Sequence, residues 1–521
     1  MASAFVLSIF MSRDCKKSFR RFLVPFALLL TFSLQARGLT ILVTETNDTM
    51  RITSLRGAIL VASRTGEYNT IILGQRPGLR QSGQSREIYH LTRRGADENA
   101  GYTGDLDITR GNITIIGVGA EVTIDATGLD DRVFQVFPRA SLTLENLVIT
   151  GGSSPKGANR TRFQGVAENG EDGGGIYNAG KLILKNCIIT GNSSGAGQGS
   201  VPPDAGNGGN GGAIFNSGWL SMNACIISSN RCGDGGNNAD LFTQGFGGDG
   251  GSGGGIYNAG TLILNASTIS DNVCGAGGNG SLALDSSGNG GMGGNGGGIY
   301  NTGRAWLVIN TLSGNTCGTG GDGTYESGLG GDGGSGGGIY NAGLLNLVSC
   351  TIAFNTTGIN GNGIGSRSVG GGGGIFNEAG NPPVEMGNTM VAQNTVWFYL
   401  VGGNPPVPTL IPVPELAGDF ISNGYNLIGW LFEFWDTGFT NGVKADQIGV
   451  LDPGIGPLQM NGGPTPTHAL LPGSPAIDQG KAFGLHADQR GHRRVYNYPS
   501  IPNVQGGDGS DIGAFESDTR N

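Results

Sequence analysis

Residues 247–260 read GGDGGSGGGIYNAG, and residues 330–343 repeat the phrase letter for letter. Its second half recurs at 173–180 (GGGIYNAG), 211–218 (GGAIFNSG), 296–303 (GGGIYNTG) and 372–380 (GGGIFNEAG). The asparagines of the six copies are Asn178, Asn216, Asn258, Asn301, Asn341 and Asn377, spaced by 38, 42, 43, 40 and 36 residues. A second asparagine follows each: Asn192, Asn230, Asn272, Asn315, Asn355 and Asn394. In the first five copies the interval between the two is always 14. A rigid unit therefore alternates with a segment of adjustable length, which is how a repeat architecture reads in sequence.

Inside the rigid unit the apolar residues have period two, the mark of a strand. Leu182, Leu220, Leu262, Ala305 and Leu345 share one position, and Leu184, Met222, Leu264, Leu307 and Leu347 the position two residues on. Such columns are buried together only if successive units stack in register. A parallel β-solenoid does this, each turn adding one strand per face about 4.8 Å above the last. The six asparagines then form a structural ladder of side-chain amides at a turn. The glycines behind them (Gly180, Gly218, Gly260, Gly303 and Gly343) suit a positive φ. The rest of each repeat is a glycine-rich loop thrown out on one side.

Composition agrees. Glycine makes up 102 of 521 residues, against a usual share of about 7%. It has no strict three-residue period along the chain, which excludes a collagen. The recurring aliphatic beat argues against disorder, and glycine at this density argues against helices, where each costs about 1 kcal/mol.

The chain begins with an address. Arg13, Lys16, Lys17, Arg20 and Arg21 precede a mostly apolar run at 22–34, and Leu34-Gln35-Ala36 offers a cleavage site. Residues 1–36 read as a secretory signal; the competing reading is a short membrane anchor. No later segment is apolar for long enough to span a bilayer. The mature chain keeps 26 basic and 39 acidic side chains, a net of −13. That disfavours nucleic acid and anionic membranes as partners. An exported protein is expected, extracellular or at the cell surface, with the periplasm and outer membrane as further stations.

Three sets of residues invite functional readings. Tyr177, Phe215, Tyr257, Tyr300, Tyr340 and Phe376 precede the asparagines and by alternation face outward. They offer an apolar ligand strip for sugars, unless the loops fold over and bury it. Asp249 and Asp332 in the duplicated phrase, with Asp172, Asp204, Asp234 and Asp322, leave calcium open as a ligand, against solvated turn aspartates. The pattern G-G-x-G-x-D of calcium-binding repeats does not recur at regular intervals, and no other cofactor is expected. Cys187, Cys225 and Cys350 stand nine past the first asparagine, and Cys232, Cys274 and Cys317 sixteen past it. They form either disulfides between neighbouring turns or a ladder of buried thiols in which Ser267, Ser194 and Thr357 are interchangeable members. Near the end, His468, His486, His492 and Asp488 form either a metal site or part of a cap.

The repeats resemble bacterial right-handed parallel β-helix proteins. Thr53-Ser54-Leu55-Arg56-Gly57-Ala58-Ile59 is similar to the start of a CSLREA-type N-terminal region. Gly424-Tyr425-Asn426-Leu427-Ile428-Gly429, the stretch NGGPTPTHALLPGSPAIDQG at 461–480, Asp488-Gln489-Arg490-Gly491 and Asp511-Ile512-Gly513-Ala514-Phe515-Glu516 resemble the choice-of-anchor Q domain. The resemblance implies an all-β, right-handed single-stranded parallel β-helix with long glycine-rich loops and capping regions at both ends. Its parts are the leader (1–36), an N-terminal cap with the first strands (37–150), regular coils (151–400) and a choice-of-anchor Q-like C-terminal cap (401–521). It supplies no catalytic residue.

The expected function is that of a non-catalytic surface or matrix protein that binds polysaccharide or cell-surface glycans, or adheres. The alternatives are a polysaccharide lyase or glycoside hydrolase, and a purely structural envelope component. Glycoside hydrolysis needs two carboxylates about 5–9.5 Å apart, and a lyase needs a base with cations. The aligned columns of the regular coils hold neither, and charged candidates for such chemistry sit only in loops and caps.

Overall fold

The computed structural model describes residues 38–518 apart from 66, 75–85, 97, 120, 158–166, 200–203, 239–244, 282–287, 325–327, 364–369, 401–406, 413 and 432–437, and no side chain of 397–400 or 407–412. The leader assigned to 1–36 lies outside the described residues.

Each turn of the chain makes three short strands, for example Ile176–Asn178, Lys181–Lys185 and Ile188–Thr190. Each pairs in parallel with its counterpart one repeat on. Three sheets of 9, 11 and 11 strands, here the first, second and third, therefore run along the molecule. The fold is an all-β right-handed parallel β-solenoid. Asn178 stands beside Asn216, Asn258, Asn301, Asn341 and Asn377 in succession. Leu182 stands beside Leu220, Leu262, Ala305 and Leu345. These aliphatic columns are buried in one continuous core, where each leucine contributes about 1.5–3 kcal/mol.

Backbone conformation corrects one sequence expectation. Neither the ladder asparagines nor the glycines behind them are left-handed. Those glycines are required by close stacking instead: a Cβ on Gly218 would lie 2.1 Å from the carbonyl oxygen of Gly180, and one on Gly260 2.1 Å from that of Gly218. Left-handed glycines fall at the entrance to the first-sheet strand of each of the six repeat copies, as at Gly253 (φ 71°). Between the second and third sheets the six repeat copies bend at a left-handed residue with a side chain: Asn186, Ala224, Ala266, Ile309, Ser349 and Asn388, with φ from 46° to 56°.

The described parts of the glycine-rich loops are arms stacked in two layers, the outgoing arm of one turn alternating with the returning arm of the next. Their hydrogen bonds repeat every third residue, the period of a polyproline-II helix. Between layers, Gly209 N–H donates to Gly195 O (2.7 Å), Gly233 to Gly209 (3.2 Å), Gly251 to Gly233 (2.9 Å) and Gly275 to Gly251 (2.9 Å), and the column continues to Gly358. Within a layer, Gly208 donates to Asp249 O and Gly250 to Met292 O, both at 2.8 Å. Every third position carries a side chain outward and caps the N–H of the following arm. Asn207 Oδ1 accepts from Asp249 N (2.8 Å), and Asp249 Oδ1 from Met292 N (2.7 Å). So Gly-Gly-X governs the arms, although glycine has no such period over the whole chain. A Cβ on Gly251 would lie 1.9 Å from Gly209 O within its layer and one on Gly250 2.0 Å from Gly275 O in the other, so the arms pack backbone on backbone.

The amphipathic helix Leu55–Thr65 packs Leu55, Ala58, Ile59 and Ala62 into the core at the amino end. At the other end Leu416–Ala417, Phe420–Gly424, Leu427–Ile428 and Gln447–Ile448 extend the three sheets. Beyond them the C-terminal segment does more than cap, because it folds back across the outer face of the third sheet. Gln489 Nε2 donates to Thr268 Oγ1 (2.8 Å), Thr311 Oγ1 to Gln489 Oε1 (2.7 Å) and Ala514 N to Thr351 Oγ1 (3.0 Å). Ile188 and Ile226, at the same strand position outside this strap, are only half-buried. The strap is held by a buried Asp488–Arg490 pair (2.8 Å), with the Arg490 guanidinium 3.7 Å from the centre of the Phe515 ring. No described helix is long and apolar enough to cross a membrane.

Candidate functional site

The outward position of the first sheet forms one column. From the amino end it runs Asp107, Gln135, Tyr177, Phe215, Tyr257, Tyr300, Tyr340 and Phe376. The six rings stack on one another with centroids 4.9–5.1 Å apart and planes within 10–19°. The arms run alongside: a Cβ on Gly371 would lie 3.3 Å from the Phe376 ring. Five rings are half-buried, and Tyr340 is buried. Burial pushes the Tyr300 hydroxyl up to about 12, with Tyr257 and Glu378 adding to it.

Stacking decides what this column can offer. A sugar packs against the face of an aromatic ring, and here each inner face is covered by the next ring. The strip presents edges and hydroxyls to solvent. Tyr177, at the end of the stack, turns a face away from its neighbours, toward Arg132, whose guanidinium carbon is 5.6 Å from the ring centre.

At that end lies a polar cleft of about 310 Å³, walled by Tyr177, Gln135, Arg132, Asp105, Asp131 and Glu171, with Glu98 and Asn99 at its margin. Asp105 and Asp107 flank Leu106 on the first-sheet strand Leu106–Ile108, and Arg132 precedes the next strand, Phe134–Val136. Arg132 is 8% exposed. Its Nη1 donates to Gln135 Oε1 (2.9 Å) and stands 3.6 Å from Asp105 Oδ2, while Nη2 pairs with Glu171 Oε2. Its Nε makes no hydrogen bond, and neither does Asp105 Oδ2, although Asp105 is 2% exposed. Asp131 fixes the floor by accepting from Asp105 N (3.1 Å) and Arg132 N (2.8 Å). Behind it, buried Arg56 pairs with Asp48 at 2.7 Å and donates to the carbonyls of Gly101, Gly104 and Asp105, holding the loop that carries the carboxylates.

These environments separate the titrations. Burial drives the Asp105 carboxyl well above its ordinary range, and the neighbouring Asp107 and Asp131 push it the same way. Burial likewise raises Asp107 to about 7. Burial pulls Arg132 down, but the carboxylates of Asp105, Glu171 and Asp131 outweigh it and hold the guanidinium charged. The cleft thus sets carboxyl groups and an amide around a buried guanidinium, a set of donors and acceptors suited to hydrogen-bonding a polyhydroxy ligand.

The sequence pointed to the aromatic column and missed the cleft. The signal was present: Gln135 and Asp107 occupy the aromatic column's own register position, one and two turns before Tyr177. They precede the regular repeats, so a search for aligned charges within those repeats passed them over.

The other candidates are placed as follows. Asn178 Nδ2 donates to Asn216 Oδ1 (2.6 Å), and the ladder continues through Asn258, Asn301, Asn341 and Asn377 at 2.6–2.7 Å, all buried. The second ladder runs from Asn192 through Asn230, Asn272, Asn315 and Asn355 to Asn394 and ends on Glu415 Oε2 (2.6 Å). Burial lifts Glu415 to about 8. The described cysteines are free buried thiols. Cys232, Cys274 and Cys317 donate to the carbonyls of Ser252, Asn295 and Ser335, tying strand turns to arms. Among the arm aspartates, Asp172, Asp204, Asp234, Asp249 and Asp322 each accept a backbone N–H from the following arm. Among the described residues no group of three or more His, Cys, Asp or Glu side chains is arranged to hold a metal ion. His468 is buried between Gly456 O (2.7 Å) and Ser313 Oγ (2.9 Å), pinning the strap.

No family model matches the chain, and no curated protein matches it. Among solved structures, the crystal structure of pectate lyase Pel9A aligns over 92% of this chain and 96% of that one. The identity is 12% and the TM-score 0.37, too distant to carry over any residue or activity.

Proposed function

We propose that this is an exported, non-catalytic surface or matrix protein that binds a glycan at the cleft beside Tyr177. One observation carries the reading: Asp105 and Arg132, almost wholly buried, stand with Tyr177 and Gln135 in the wall of an open cavity, and Asp105 Oδ2 and Arg132 Nε make no hydrogen bond. Buried polar atoms left unpaired are expensive, and a bound hydroxyl supplies the missing partner. The secretory leader and the choice-of-anchor Q-like phrases support placement outside the cell. The test is binding of the mature chain to a glycan array, compared with Gln135→Trp, which plugs the cleft, and Tyr300→Ser, which interrupts the ring column far from it. Loss in Gln135→Trp and retention in Tyr300→Ser is the expected result. The reverse would move the site to the strip.

A second reading, glycoside hydrolysis, has one observation of its own. Burial drives the Asp105 carboxyl well above its ordinary range, and Glu171 pairs with the same guanidinium, so two carboxyl groups in different environments share one cavity. Oligosaccharides released from any polysaccharide, and lost in Asp105→Asn, would replace the binding reading.

A further inference from the structure

The ring column has a chemistry of its own, because its six members are not alike. Tyr257, Tyr300 and Tyr340 are three phenols in a row, and Phe215 and Phe376 close the run at either end. Tyr257 and Tyr300 have centroids 4.9 Å apart and planes 18° from parallel; Tyr300 and Tyr340 are also 4.9 Å apart, with planes 10° from parallel. The strands beneath are parallel and in register, so each ortho carbon faces its counterpart on the next ring at about the centroid spacing. Held this way, a reaction between two rings becomes effectively unimolecular. Tyr257 and Tyr300 are half-buried and keep their edges toward solvent. The two outer hydroxyls have polar partners, Thr302 at Tyr257 and the exposed carboxyl of Glu378 at Tyr340. A carboxylate in that place accepts the phenolic proton as the ring loses an electron.

We infer that Tyr257, Tyr300 and Tyr340 form an oxidative cross-linking site, at which neighbouring turns are joined by a dityrosine bond. The oxidant is hydrogen peroxide acting through a haem peroxidase. Each of two adjacent phenols gives up one electron and its hydroxyl proton. The two phenoxyl radicals couple at their ortho carbons, forming one C–C bond. Two ortho C–H bonds then break as the rings regain aromaticity and the oxygens regain protons. The pair loses two hydrogens in all, and the peroxide takes up two electrons and two protons to leave as two waters. The bond spans one repeat, 43 residues from Tyr257 to Tyr300 or 40 from Tyr300 to Tyr340. Phenylalanine has no phenolic proton to lose, so the reaction stops at Phe215 and Phe376, and Tyr177, beyond Phe215, stays unjoined.

Treatment of the dilute mature chain with hydrogen peroxide and a haem peroxidase tests this, read by dityrosine fluorescence, gel migration and peptide mass spectrometry. The expected product is a monomer in which the Tyr300 peptide is joined to that of Tyr257 or Tyr340, two hydrogens lighter than the sum. Tyr300→Phe keeps a ring in the stack and leaves no two phenols adjacent in it. That variant should lose both joined peptides and keep its melting temperature. Should it melt early, Tyr340→Phe decides, by keeping the Tyr257–Tyr300 product and losing the other. Dityrosine found solely elsewhere, at exposed Tyr68 and Tyr102 or in the edge-to-face pair Tyr496 and Tyr498, overturns the assignment. So does a Tyr257–Tyr340 product in Tyr300→Phe, or no dityrosine under conditions that couple free tyrosine.

Discussion

Each repeat is held together in two opposite ways. The strand turns pack side chain on side chain, and their backbone groups are spent on the sheet ladders. The glycine arms pack backbone on backbone, and what side chains they have point outward. Leu264 fills the core of a turn and Gly251 fills nothing, yet both are buried and both hold the same axial register. One stacking distance is thus met by two chemistries, and the two should fail in opposite directions.

The sharpest contrast comes from reversing residue size. Leu264→Ala should cost about 2–5 kcal/mol, the usual price of a cavity in a tight core. Gly251→Ala adds the same methyl group that would be harmless on a strand surface and should cost about 1–3 kcal/mol or more, since its Cβ would meet Gly209 O at 1.9 Å. Chemical denaturation of both variants checks the pair; an arm that tolerates alanine would mean the layers are not close-packed. The buried amide ladder comes next. Asn272→Ala leaves Asn230 and Asn315 each short of a partner and should cost about 1–3 kcal/mol, whereas Asp249→Ala, which uncaps one outer N–H, should cost about 0.5–1.5 kcal/mol.

A pH series separates the ladder's end from its middle. Glu415 is lifted from 4.5 to about 8 by burial. The folded state therefore holds its proton more tightly than the unfolded chain. The corresponding stability is complete below 4.5 and is lost as pH rises toward 8. Melting temperature should fall across that window, and by less in Glu415→Gln. The smallest effect has the opposite sign. Ala224→Gly relieves a left-handed alanine (φ 53°) at a corner and should stabilise by about 1 kcal/mol.

The strand turns were legible because their columns repeat residue identity: Leu182, Leu220 and Leu262 announce one buried position three times. The arms were harder to read. Their Gly-Gly-X period is interrupted by tips of varying length and merges into the Gly-Gly-Gly before each Ile-Tyr-Asn, so the glycine excess read as slack loop. The strap was written in the third sheet as the change from Ile188 and Ile226 to Thr268, Thr311 and Thr351. That change means nothing until the partner, about 200 residues away, is in place. The cleft depends on Asp105, Arg132 and Glu171 meeting across three turns, and no local pattern joins them.

The strap also has a consequence for how such a gene can change. Near-identical tandem units recombine unequally, gaining or losing whole copies. It hydrogen-bonds Thr268, Thr311 and Thr351, and among the described residues Ile188 and Ile226 at the same position stay half-exposed. Duplicating a unit within 178–257 would lengthen the rod and carry the cleft one step further from the strap, with every ladder continuous. Duplicating one beneath the strap would leave its anchors out of step. Lineages of this protein should therefore vary in length on the amino side and keep a fixed count beneath the strap.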